Sequence, residues 1–119
     1  MTVIERSHVS KRMSQVVRYG SVLNLAGQVA TDVQQDMAGQ TRQVLASVDK
    51  LLAEHGSDRS QILFCQIFLS DMSQFQAMNA VWDEWVAPGQ APSRATVGVN
   101  LASPEKLIEI VVSAATTAL

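Results

Sequence analysis

The stretch "QILFCQIFLSD", residues 61–71, decides how the rest of the chain is read. From Ile62 to Leu69 every residue except Gln66 is apolar. A short run without polar alternation fits a buried strand, and its length suits a strand better than a helix. The chain is therefore expected to hold a sheet with this segment buried inside it.

Downstream, Asp71 and Ser73 offer side-chain oxygens that can cap a helix start. Phe75, Met78, Trp82 and Trp85 then recur at spacings of three and four, which predicts a helix with one apolar face, ending before Pro88 and Gly89. "APGQAPS" reads as a loop, and two strands follow, about Arg94 to Val99 and Leu107 to Ala115, flanking the turn-rich "NLASPEK".

Upstream, Val44, Leu45, Val48, Leu51 and Leu52 form a helical stripe between Asp36 and His55, and Gly56 is a natural stop. Nearer the N-terminus, "QVVRYG" and "SVLNLAGQVA" are β-branched-rich runs separated by Gly20 and Ser21, the pattern of a hairpin. The resulting order, β-β-α-β-α-β-β, predicts an α+β fold in which two helices cover one face of a mixed, largely antiparallel sheet. The other sheet face is then apolar and open. Soluble proteins hide such a surface by self-association, so a homo-oligomer is expected.

The 119 residues suit one domain, residues 1–119, able to bury its own core. Hydrophobic residues make up 47% and charged residues 17%, the balance of a compact protein rather than a disordered one. With net charge -2 and scattered lysines and arginines, there is no basic stripe for phosphates, which argues against nucleic acid as a partner. No run approaches the roughly 18 consecutive apolar residues of a membrane span. "MTVIERSHVSKRM" lacks the apolar core of a secretory signal, and the single cysteine, Cys65, has no internal partner; both point to the cytoplasm.

Two charges stand out because each interrupts an apolar strand: Arg94 in "PSRATVGV" and, fifteen residues later, Glu109 in "LIEIVVS". If the last two strands form a hairpin around "NLAS", one register sets Arg94 opposite Glu109 and Val97 opposite Lys106. Such a pair can be a cross-strand ion pair, about 0.2–1 kcal/mol at a surface. It can also be a site, with an arginine fork for a carboxylate beside a glutamate that holds or activates water. The pattern leaves both readings open.

These residues, with "AGQVA", "IFLSDMSQFQAMNAVWDEW", "APSRATV" and "LIEIVVSAA" in this order, resemble the RidA/YjgF (reactive intermediate deaminase) family from about Met13 to Thr116. "RMSQVV", "GQTRQVL" and "MNAVWDEWV" look more like its outlying YoaB/RutC-like branch. The resemblance implies a chorismate mutase-like fold and a homotrimer whose sheets line a central barrel, with sites in the clefts between subunits. It implies that Arg94 binds a substrate carboxylate and Glu109 positions the hydrolytic water. The implied substrates are 2-imino or 2-enamino acids, hydrolysed to 2-oxo acids and ammonia without metal or organic cofactor. Backbone around Thr96 and Gly27 would contact the ligand, and Asn79 would support the site from the second helix.

Two positions depart from the family pattern. Met13 falls where archetypal members carry a tyrosine, and Thr96 where many carry a cysteine. The site is then either more apolar and differently selective, or one that binds a small carboxylate without hydrolysing anything, as a regulatory protein would.

Other chemistry has little support. Cys65, mid-strand, reads as a buried thiol. His8 and His55 lie 47 residues apart and do not make a zinc motif with one cysteine. Trp82 and Trp85 read as packing against the sheet, although Asn79 on the same helix reads equally as a surface amide or a site residue. Ser14 and Ser93 have no histidine nearby in sequence with which to build a triad.

Overall fold

A computed structural model describes residues 2–117. In chain order the elements are β1 (Ile4–Val9), β2 (Ser14–Tyr19), β3 (Val22–Leu25), β4 (Gln28–Val29), α1 (Met37–Ala53), β5 (Ile62–Leu69), α2 (Phe75–Trp85), β6 (Ser93–Gly98) and β7 (Ile108–Ala115). The sheet runs β1-β2-β3-β7-β5-β6, with β4 also paired to β7. Only β5 and β6 are parallel; the other pairs are antiparallel. Extents of 47 × 38 × 20 Å are those of a thin slab, one sheet and one layer of helices.

β5 is hydrogen-bonded on both edges, to β7 on one side and β6 on the other, but its continuous apolar run is not buried throughout: Leu63 and Phe64 are exposed, because helices cover only one face of the sheet. On the inner face Cys65, Ile67 and Leu69 meet Ile108, Ile110 and Val112 of β7 under the helices. Each large aliphatic side chain buried there contributes about 1.5–3 kcal/mol relative to exposure.

α1 begins at Asp36, whose Oδ1 accepts from the Gly39 N–H at 2.9 Å; losing such a cap costs about 1 kcal/mol. Its stripe of Val44, Leu45, Val48, Leu51 and Leu52 is buried as the spacing predicts. Gly56, at φ 69°, turns the chain out of the helix, and the Ser57 N–H closes onto the Leu52 carbonyl at 2.9 Å. Gln40, fully buried, was not singled out in the sequence. Its Nε2 donates to the Glu105 carbonyl at 2.9 Å and its Oε1 accepts from the Leu107 N–H at 3.0 Å, tying α1 to the approach to β7.

α2 follows a short 3-10 turn, Met72–Gln74, that Asp71 caps by accepting from the Ser73 N–H at 3.0 Å. Ser73 is thus the donor at that cap rather than a second capping oxygen. Met78, Trp82 and Trp85 are buried as expected, with Phe75 packed beside them.

Three features differ from the sequence reading. An additional strand, β1, lies at the sheet edge; its "IERSHV" is mostly exposed, so the apolar signal of a strand is weak there. The run "SVLNLAGQVA" is split into β3 and β4, whose registers on β7 differ by one residue, as at a bulge around Ala26 and Gly27. The expected β6–β7 hairpin does not form. β6 returns parallel to β5 through the α2 crossover, and β7 takes the opposite edge of β5. The connection crosses the end of β5, where the Val99 N–H donates to the Leu69 carbonyl at 2.9 Å and the Ser70 N–H to the Leu107 carbonyl at 3.0 Å.

The outer face carries no helix. Tyr19, Val22, Phe64 and Val97 are exposed large apolar residues, and register pairing joins Tyr19 to Val22 and Val97 to Phe68 on that side. Among the described residues, no helix is long and apolar enough to cross a membrane.

Candidate functional site

β6 forms the far edge of the sheet and alternates between faces. Arg94 pairs with Cys65 and Thr96 with Ile67, both partners fully buried, so both side chains rise on the helix-covered face. There α2 supplies an aromatic floor. The Arg94 guanidinium lies 5.0 Å from the Trp82 ring centroid and 5.9 Å from that of Phe75, within cation–π range. Asn79, four residues after Phe75 and three before Trp82, shares their stripe.

Arg94 Nη1, Thr96 Oγ1 and Asn79 Oδ1 are each buried without a hydrogen-bond partner. Buried polar groups are normally paired, and each orphan costs about 1–3 kcal/mol, so three from two adjacent elements mark a place built to meet something. One is a cationic donor, one an amide acceptor and one a hydroxyl able to do both. Together they can meet an anionic oxygen and a neighbouring polar hydrogen.

Glu109 is elsewhere. On β7 it pairs with Phe68 of β5 and Val29 of β4, and its side chain leaves the sheet on the outer face, half-buried. Gly27, at the break between β3 and β4, lies directly under it: a Cβ there would meet the Glu109 carboxylate, 2.8 Å from Cδ and 3.1 Å from Cγ. The absence of a side chain is what lets the glutamate lie across the strand break.

The structure therefore gathers the six residues singled out in the sequence into two groups and a remainder. Arg94, Thr96 and Asn79 share the inner face at the β6 edge; Glu109 and Gly27 share the outer face. Met13 lies in the turn between β1 and β2 and is exposed, its N–H donating to Ser10 Oγ at 3.2 Å and its carbonyl accepting from the Ser10 N–H at 2.8 Å. Arg94 is not opposite Glu109: β5 lies between their strands, and no ion pair joins them among the described residues.

Cys65, beneath Arg94, is a core thiol. Burial pushes it up to about 12, with the Arg94 charge pulling weakly the other way. The histidines serve structure: His55 is bonded to the Leu51 carbonyl at 2.8 Å and to Ser7 Oγ at 2.9 Å, and His8 pairs with Glu54 at 3.0 Å. Ser93 Oγ donates to the Leu63 carbonyl at 2.9 Å. Among the described residues no three His, Cys, Asp or Glu side chains converge as metal ligands would.

The aromatic floor under Arg94 was missed as such in the sequence, where Phe75 and Trp82 carry only the signal of a core-facing stripe. Asn79 set within that stripe is the one polar residue that hints at it.

The family model described as endoribonuclease L-PSP matches residues 4–116. A RutC family protein of Haemophilus ducreyi is 44% identical over 113 residues, covering 95% of this chain and 97% of that one. The RutC family protein YoaB of Escherichia coli K12 is 40% identical, covering 97% and 99%. A shorter match, 39% identical, covers 63% of this chain and 59% of the 3-aminoacrylate deaminase RutC of Acinetobacter baylyi. The crystal structure of a YjgF protein family member from Neisseria meningitidis superposes with a TM-score of 0.95 at 38% identity, covering 98% of each chain. Matches of this extent, over a sheet and helices of the same arrangement, place the chain in the YjgF/RidA family, among its RutC-like members.

Proposed function

We propose that this protein is a cytoplasmic enamine/imine deaminase that converts 2-imino or 2-enamino acids to 2-oxo acids and ammonia. It works as a homotrimer with sites at its subunit interfaces. The observation that carries this reading is the buried, unpartnered trio of Arg94 Nη1, Thr96 Oγ1 and Asn79 Oδ1. Arg94 binds the substrate carboxylate by charge-assisted hydrogen bonding, and Asn79 Oδ1 accepts from the substrate N–H. Glu109 takes a proton from water as its oxygen adds to the C=N carbon. Glu109 hands that proton to the imine nitrogen, giving a carbinolamine. The hydroxyl proton then passes to the same nitrogen as the C–N bond breaks, so ammonia leaves and the C=O of the 2-oxo acid forms. An enamino acid first takes the imine form by moving a proton from nitrogen to C3. An activated imine needs mainly orientation, charge stabilisation and a placed water, which these residues can supply without a cofactor.

The separation of Arg94 from Glu109 supports a site shared between chains, with Arg94 at the β6 edge of one subunit brought to Glu109 on the outer face of the next. The activity for which the Acinetobacter relative is named supports 3-aminoacrylate-type acids as substrates. The net charge of -2 gives no support to the ribonuclease in the family model's description.

A second reading is a non-catalytic trimer that binds a small carboxylate as a regulatory ligand. Met13 favours it, because an exposed thioether stands where archetypal relatives place a phenol. The deciding experiment follows ammonia and 2-oxo acid formation from freshly generated 2-aminoacrylate and 2-iminobutyrate, with wild type, Arg94→Ala and Glu109→Ala. Acceleration by wild type, lost in both variants, is expected. Saturable 2-oxo acid binding without turnover would select the second reading.

A further inference from the structure

Arg94 is surrounded by groups that do not bond to its free nitrogen, so its position has to be set by packing. Trp82, only 5% exposed, presents its ring 5.0 Å from the guanidinium. Behind Trp82 stands Trp85, ring centroids 5.4 Å apart and planes tilted by 48°. Trp85 is held in turn from three directions. Its Nε1 donates to Asp49 Oδ2 at 3.0 Å, its carbonyl accepts from Arg59 Nη1 at 2.8 Å, and the Arg59 guanidinium lies 5.1 Å from its ring centroid. Arg59 closes the frame by donating to both Asp49 oxygens, at 2.7 and 3.3 Å.

The result is a continuous series from α1 to the sheet edge: carboxylate, guanidinium, indole, indole, guanidinium. Its far end is pinned by hydrogen bonds and its near end is not. A two-ring shelf with one end pinned restrains the Arg94 plane without consuming its N–H groups, leaving Nη1 to a ligand. Cationic side chains on desolvated indole faces keep a preferred orientation that a lysine or an aliphatic neighbour would not impose.

We infer that Trp82 is a positioning residue for Arg94, fixing the guanidinium for a carboxylate-bearing ligand, and that the Asp49–Arg59 pair anchors this shelf through Trp85. The ligand class rests on the functional reading above; the shelf itself does not. Two readouts separate them: the Arg94 side-chain Nε–Hε resonance of the intact protein, and its affinity for 2-oxobutanoate.

In Trp82→Leu the resonance should lose its ring-current shift, and Kd and KM should rise about tenfold while kcat changes less than threefold. Trp82→Phe, which keeps an aromatic face, should restore affinity to within about threefold of wild type. Asp49→Ala should give a smaller loss of the same kind. An Arg94 resonance unchanged in Trp82→Leu, or a changed resonance with wild-type affinity, would overturn the assignment. Should wild type itself bind no 2-oxo acid while the resonance still moves in Trp82→Leu, the functional reading fails and the shelf stands.

Discussion

Arg94 and Glu109 leave one sheet on opposite faces, the first level with Cys65 and the second with Phe68 on the strand between them. Neither face of the sheet carries both. Under the proposed function this makes an active site a property of two chains, and mixing defective chains tests it. Arg94→Ala and Glu109→Ala trimers should each be inactive. After unfolding and refolding together, roughly one quarter of the interfaces should pair an intact arginine with an intact glutamate, and activity should return in that proportion. No recovery, with mixed trimers demonstrated by mass spectrometry, would place both residues of a working site in one subunit.

Under the proposed function, Gly27 should prove intolerant of even a methyl group for a catalytic reason. A Cβ would collide with the Glu109 carboxylate, which is the end of a flexible side chain and can move aside. Gly27→Ala should therefore fold normally and bind 2-oxo acids at Arg94, yet lose about tenfold to a hundredfold in turnover through misplacement of Glu109. Equal losses in binding and turnover would argue against this division of labour.

The outer sheet face offers a test of assembly. Val97, 42% exposed, sits beside Phe68 on that face. If the proposed trimer buries this face, Val97→Asp should put an unpaired charge into the subunit interface and shift the trimer toward monomers, read by size exclusion with light scattering. Secondary structure should survive, because the inner core is untouched.

Cys65 gives a pH-dependent signature of the buried inner face. With the thiol pushed up to about 12 by burial, the reactive thiolate stays scarce across the neutral range and grows steadily with pH without levelling off below that value. Alkylation of the native protein at pH 8 should be about a hundredfold or more slower than that of the unfolded chain. A native rate that levels off near pH 9 would mean that Cys65 is accessible.

The elements themselves were legible because their signals are local. The run from Ile62 to Leu69 announces a strand, though not that only one of its faces is covered, and the stripes through Val44–Leu52 and Phe75–Trp85 announce helices that need a sheet beneath them. β1 was not legible: an edge strand that buries little has no apolar alternation to display. Arg94 and Glu109 drew notice by the same local logic, as charges that interrupt apolar strands.

What the sequence could not supply was which strands pair. Short loops make a hairpin between consecutive strands the natural expectation. Here the α2 crossover had already brought β6 parallel to one edge of β5, leaving β7 the other. That single choice of neighbours carries Arg94 onto the aromatic floor of α2 and leaves Glu109 over Gly27 on the outer face. By itself the sequence determined periodicity, and so the elements and their apolar faces, because side-chain direction repeats along a strand or helix whatever lies beside it. Pairing and packing depend on contacts between residues distant along the chain, so only the tertiary structure decided which charges meet and which stay apart.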